Sequence, residues 1–127
     1  MSKNVLVTGA GAGLGFVTAK MLREMGWNVY GTLKPGKSPD DLKKVDCIPV
    51  AVDISDRKSV LAAYETIAKE VGDSGLAAII NIAGVAGVAG GVVEGVSEER
   101  VRALFEVNVF GTLWMCQTFL PLLRKYG

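Results

Sequence analysis

Thr8-Gly9-Ala10-Gly11-Ala12-Gly13-Leu14-Gly15 is the segment whose residue types and spacing suit a chemical task, the holding of phosphate. A helix N-terminus offers backbone N–H groups without intrahelical partners and a partial positive charge. A pyrophosphate reaches those groups only where no side chain stands in the way. Gly9 permits a sharp turn out of a strand, Gly13 lets the backbone approach the phosphates, and Gly15 lets the next helix pack close to the sheet. The spacing is T-G-x-x-x-G-x-G and not G-x-G-x-x-G, because position 14 is Leu. No Gly-Lys-Ser/Thr follows, which excludes a P-loop. The segment reads as the phosphate cradle of a dinucleotide cofactor, NAD(P), with Gly9, Gly11, Ala12, Gly13, Leu14 and Gly15 as candidate contacts.

Such a turn carries weight only between a strand and a helix, and the flanking residues supply both. Val5-Leu6-Val7 is a short apolar run that reads as a buried strand. Leu14, Val17, Met21, Leu22 and Met25 follow at helical spacing, and Gly26 ends that helix. Further strands are expected over Asn28 to Leu33, Ile48 to Val52 and Leu76 to Ala83. Asp40 to Lys44 is at most one helical turn, after a loop marked by Pro35, Gly36, Ser38 and Pro39. Asp56 reads as the N-cap of a helix with Val60, Tyr64, Ile67 and Val71 on one face. Gly84 to Gly95 is a Gly/Val loop, and Ser97 opens a helix running towards Tyr126. The alternation predicts an α/β fold: a Rossmann-type open parallel sheet of four strands in order 3-2-1-4, with helices on both faces. It stops before a fifth strand, and residues 1–127 are expected to form a single domain.

Composition narrows the function classes. Half of the 127 residues are apolar and the net charge is +1, so no basic field for nucleic acid exists. No apolar run is long enough to span a bilayer, and Met-Ser-Lys-Asn does not resemble a secretory leader. Cys47 and Cys116 are far apart and there is no histidine, so neither a metal site nor a disulfide framework is expected. A cytoplasmic setting fits this cysteine usage. The missing histidine also removes a Ser-His-Asp arrangement.

Four features in order resemble the N-terminal half of the short-chain dehydrogenase/reductase family, and together they extend over the whole chain. They are Thr8-Gly9…Gly13-Leu14-Gly15, Asp53-Ile54 after strand three, Asn81-Ile82-Ala83-Gly84 after strand four, and Asn108-Val109-Phe110-Gly111 in the last helix. The resemblance implies that Asp53 contacts the adenine, that Ala83 and Gly84 face the cofactor beside Asn81, and that Asn108 helps organise an active site. Ile82 departs from the family's second Asn, which weakens the hydrogen bonding expected between strand four and its neighbours.

Strand two ends in Thr32-Leu33-Lys34. A preference for NAD usually needs a carboxylate there to accept from the ribose hydroxyls. Leu33 offers none, and the Lys34 ammonium suits a 2′-phosphate, with Lys37 as a second candidate cation. NADP is therefore favoured over NAD.

The family's proton-transfer groups are a Ser and a Tyr-x-x-x-Lys pair, and the resemblance puts them beyond the segment corresponding to Gly127. Tyr30-Gly31-Thr32-Leu33-Lys34 matches the pair formally, but it falls in strand two on the adenosine side and reads as coincidence. Tyr64 has Ala68 four residues on, and Tyr126 is nearly terminal. The expected function is that of an NAD(P)-dependent oxidoreductase represented by its dinucleotide-binding half. A small carbonyl or alcohol substrate would require completion by a C-terminal half. A non-catalytic NAD(P)-binding module and a subunit completed in trans remain alternatives.

Val107 to Leu123 carries no charge, so the last helix is expected either to be buried on more than one side or to be left apolar where another covering segment is absent, with Pro121 bending or ending it. Strand four lacks a neighbour on one edge. Self-association is expected through that edge or through the last helix.

Overall fold

The computed structural model describes residues 3–86 and 93–127. Its elements are β1 (Asn4–Val7), α1 (Gly13–Glu24), β2 (Asn28–Leu33), α2 (Asp40–Lys44), β3 (Ile48–Ala51), α3 (Arg57–Val71), β4 (Ala78–Ile80), α4 (Glu98–Phe105) and α5 (Thr112–Tyr126). The strands form one parallel sheet in the order β3-β2-β1-β4, as the alternation predicts.

Period-two alternation divides the core between the two faces of the sheet. Leu6 and Tyr30, paired in register, face α3 and α5 and pack with Val60, Ile67, Met115 and Phe119. Val5, Val7 and Val29 face the other way and pack with Ala19 of α1 and Leu42 of α2. Every residue of β1 is buried, as expected of a strand covered on both faces.

The helix ends follow local chemistry. The Asp56 carboxylate accepts from the Lys58 N–H at 3.0 Å and caps α3. The Ser97 hydroxyl accepts from the Arg100 N–H at 3.3 Å and caps α4. Past α1, Gly26 takes a φ of 88°, the left-handed conformation that ends a helix.

Four expectations need correction. β4 is shorter than Leu76 to Ala83, because its ladder with β1 covers only Ala78–Ile80. The last helix is not uniform: a π-helical turn over Glu106–Gly111 separates α4 from α5. Pro121 does not end it, since α5 continues to Tyr126. Nor is it buried on more than one side within this chain. Met115, Phe119 and Leu122 are buried, whereas Val109, Phe110, Leu113 and Leu120 are exposed. In the Gly/Val loop, residues 87–92 lie outside the described residues.

Candidate cofactor site

The sheet order reverses between β1 and β4, and a ligand crevice is expected outside the strand C-termini at that point. A cavity of about 350 Å³ opens there. Gly9 enters it after β1, Thr32 to Pro35 at the end of β2, and Val52 to Ile54 after β3. Ala83 and Gly84 after β4 and Val107 of the π-helical turn complete the lining. Five separate segments thus converge on one space.

The glycine turn is locked from two sides. The buried Thr8 hydroxyl accepts from the N–H groups of Ile82 and Ala83, each at 3.0 Å. The Gly9 N–H donates to the Thr32 hydroxyl at 3.2 Å, and the Ala10 N–H donates to the Thr32 carbonyl at 2.8 Å. The tie between β4 and the turn therefore runs through Thr8, and Ile82 contributes only its backbone.

Two glycines are obligatory for different reasons. Gly9 has a φ of 65°, and a Cβ on it would stand 2.8 Å from the Ala83 backbone. Gly15 has an ordinary φ, but a Cβ there would run into the Gly9 carbonyl, so α1 sits directly on the turn. Gly13 also has a positive φ, 56°, and a Cβ on it would meet nothing within 4 Å. Its surroundings are open where a phosphate would approach. Ala12, in extended conformation, precedes α1, and no side chain caps that helix. The first-turn N–H groups are left to a ligand or to water, so the residues present fit a pyrophosphate.

Lys34 and Asp53 are the ionisable residues lining the cavity. The Asp53 carboxylate accepts from the Ser55 N–H at 3.0 Å and the Ser55 hydroxyl at 2.6 Å, while its own N–H donates to Ser59 Oγ at 2.9 Å. These bonds fix the carboxylate at the cavity edge. Lys37 does not line the cavity. Leu33 does, and it is nearly buried against Gly11, whose Cβ would stand 3.2 Å from Leu33 Cβ.

Of the residues singled out by sequence, Gly9, Leu33, Lys34, Asp53, Ile54, Ala83 and Gly84 come together in the cavity. Gly11, Ala12, Gly13, Leu14 and Gly15 form the adjoining turn and start of α1. Asn81 and Asn108 do not line it. Asn81 Nδ2 donates to Cys116 Sγ at 3.4 Å, and Asn108 binds the Val85 backbone. Sequence reasoning missed Thr32, Pro35, Val52 and Val107. Thr32 had a signal, being a hydroxyl at a buried strand end beside a glycine turn. Val107 had none, because only the π-helical turn aims it at the cavity.

Tyr30, at the register position opposite Leu6 within β2, does not line the cavity. It is 2 % exposed, packs in the cluster under α3 and α5, and has its pKa raised by burial and then by the Glu70 carboxylate. It therefore forms no acid/base pair with Lys34 at the cavity.

The family model for short chain dehydrogenases matches residues 3–127. The chain belongs to the short-chain dehydrogenase family. It is 40% identical over 121 residues to 3-ketodihydrosphingosine reductase of Bacteroides thetaiotaomicron, spanning 95% of this chain and 42% of that one. It is 38% identical to human 17-beta-hydroxysteroid dehydrogenase type 2, spanning 97% of this chain and 33% of that one. Among solved structures, the NADPH-bound carbonyl reductase from chicken fatty liver superposes with a TM-score of 0.89 at 26% identity, over 98% of this chain and 49% of that one. A short-chain dehydrogenase from Streptomyces avermitilis gives 0.86 at 28% identity, over 98% of this chain and 45% of that one. The chain thus spans less than half the length of each of these family members. Among the described residues, no helix is long and apolar enough to cross a membrane.

Proposed function

We propose that this chain is the dinucleotide-binding portion of an NAD(P)-dependent oxidoreductase that favours NADP(H). The observation that carries the reading is the convergence of the glycine turn, Lys34 and Asp53-Ile54 on one cavity at the reversal of strand order. In this reading the N–H groups of Gly13, Leu14 and Gly15 hold the pyrophosphate. Lys34 pairs with a 2′-phosphate. Asp53 and Ile54 meet the adenine, and Ala83 and Gly84 border the path towards the nicotinamide beside Asn81. Bound NADPH supplies a hydride. This chain's residues bind and orient it, with Asn108 shaping the neighbouring loop.

The substrate class proposed for the whole protein is a small carbonyl compound or the matching alcohol, in keeping with relatives named as reductases and hydroxysteroid dehydrogenases. The exposed outer side of the last helix, with Phe110, Leu113 and Leu120, supports association with a second copy. A purely monomeric sedimentation profile at high concentration contradicts that part.

Calorimetric titration with NADPH and NADH tests the assignment. The protein is expected to bind NADPH saturably and more tightly than NADH. Lys34→Ala is expected to weaken NADPH about tenfold while changing NADH little, as for loss of one charge-assisted hydrogen bond. No saturable binding of either cofactor overturns the assignment. Equal losses for both overturn the role of Lys34.

A further inference from the structure

We propose that Gly111 is a positioning residue for the adenine end of the cofactor cavity, acting through Ile54. This rests on the reading of the cavity as a dinucleotide site. Gly111 is buried at the end of the π-helical turn. Its φ of −59° and ψ of −45° are ordinary helical values, so its backbone conformation does not require glycine. Alanine is the better helix former there by intrinsic propensity. The reason for glycine is a contact. A Cβ at this position would stand 2.8 Å from Ile54 Cγ1, 2.9 Å from Ile54 Cδ1 and 3.1 Å from the Ile54 carbonyl oxygen. Cβ atoms do not approach carbon that closely, so the helix or Ile54 must move.

Ile54 has little room to move into the protein. It is 6 % exposed and belongs to the cluster that includes Val52, Val60 and Met115. Interiors packed to this density resist an added methyl group. The open space beside Ile54 is the cavity that it lines together with Asp53. Displacing the helix instead would disturb the same cavity. The π-helical turn carries Val107, which lines the cavity, and Asn108, which holds Val85 next to Gly84. A methyl group on Gly111 therefore changes the cavity wall by either route, although Gly111 is not part of the lining.

The test is a double-mutant cycle on the full-length protein, read as dissociation constants for NADPH and for adenosine 2′,5′-bisphosphate, which carries only the adenine end. Gly111→Ala is expected to weaken both ligands by the same factor, about tenfold or more. In an Ile54→Ala background, where the obstructing carbons are gone, adding Gly111→Ala is expected to cost less than about twofold. Unchanged binding by Gly111→Ala overturns the inference. So does an equal penalty in both backgrounds, or a loss confined to NADPH. If Gly111→Ala does not fold, the double variant is compared with Ile54→Ala: folding and matching affinity support the pair, and failure to fold overturns it. If the unsubstituted protein binds neither ligand, the site reading falls and this inference falls with it. If the unsubstituted protein binds and Gly111→Ala binds equally well, this inference alone falls.

Discussion

Asn108 and Val85 hold each other through two hydrogen bonds. The Val85 N–H donates to Asn108 Oδ1 at 2.7 Å, and Asn108 Nδ2 donates to the Val85 carbonyl at 2.8 Å. One side-chain amide thus satisfies both polar groups of one residue's backbone. The pairing joins the π-helical turn to the segment after β4, immediately beside Gly84 of the cavity wall. A Cβ on Gly84 would stand 3.1 Å from Asn108 Oδ1, so the amide lies close against that backbone.

Asn108→Ala removes both bonds. We expect a loss of about 1–2 kcal/mol, since each net hydrogen bond in a partly solvated setting is worth about 1 kcal/mol or less. Asn108→Asp keeps an acceptor for the Val85 N–H but sets a carboxylate against the Val85 carbonyl, so it should recover only part of the loss. Amide exchange reports this locally: the Val85 N–H should exchange faster in Asn108→Ala than in the unsubstituted protein. Unchanged protection of Val85 contradicts the pairing.

Thr8→Val keeps the shape of the side chain and removes the acceptor for the Ile82 and Ala83 N–H groups. Unsatisfied donors in so enclosed a position cost about 1–3 kcal/mol. Thr8→Ser retains the hydroxyl and should be markedly less destabilising. Urea denaturation compares the two. A loss in Thr8→Ser that exceeds the loss in Thr8→Val would mean that the methyl group, and not the hydroxyl, holds the turn.

Alkaline stability follows from two buried acids. Burial pushes the Tyr30 phenol above its ordinary 10.0. Burial likewise raises the Cys47 thiol above 9.0. Each group stays protonated in the folded protein at a pH where the unfolded chain has begun to release its proton. The folded state therefore binds more protons there, and stability falls as pH rises. The full contribution is present below pH 9.0, with the Cys47 part lost first on raising the pH and the Tyr30 part lost above 10.0. Tyr30→Phe should flatten the decline above pH 10.0 in denaturation curves. A decline as steep as in the unsubstituted protein contradicts this.

The sheet order and the glycine turn were legible in the sequence because each rests on a local rule. Apolar runs such as Val5 to Val7 alternate with helix-period segments, and Thr8 to Gly15 stands where a strand gives way to a helix. What the sequence hid depends on tertiary geometry. Leu14, Val17, Met21 and Met25 located α1 by their spacing, yet they are exposed, and α1 buries Gly15 and Ala19 instead. Close approach of the helix to the turn selects small residues, which an apolar pattern overlooks. The π-helical turn was equally hidden. It shifts the register of an uninterrupted apolar helix by one residue per turn and leaves no punctuation in the chain. Within that turn Val107 comes to line the cavity and Gly111 comes to lie against Ile54. The Asn81 side chain is likewise placed by tertiary contact, its amide donating to Cys116 Sγ.

The cavity beside Gly9 to Gly15 is proposed to hold a dinucleotide. The most direct measurement is an amide chemical-shift map of the protein titrated with NADPH. Saturable shifts are expected at Gly13, Leu14 and Gly15, together with Lys34, Asp53, Ile54, Ala83 and Gly84. Shifts confined to the groove on α4 near Phe105 and Phe110, or no saturable shifts at all, would contradict it.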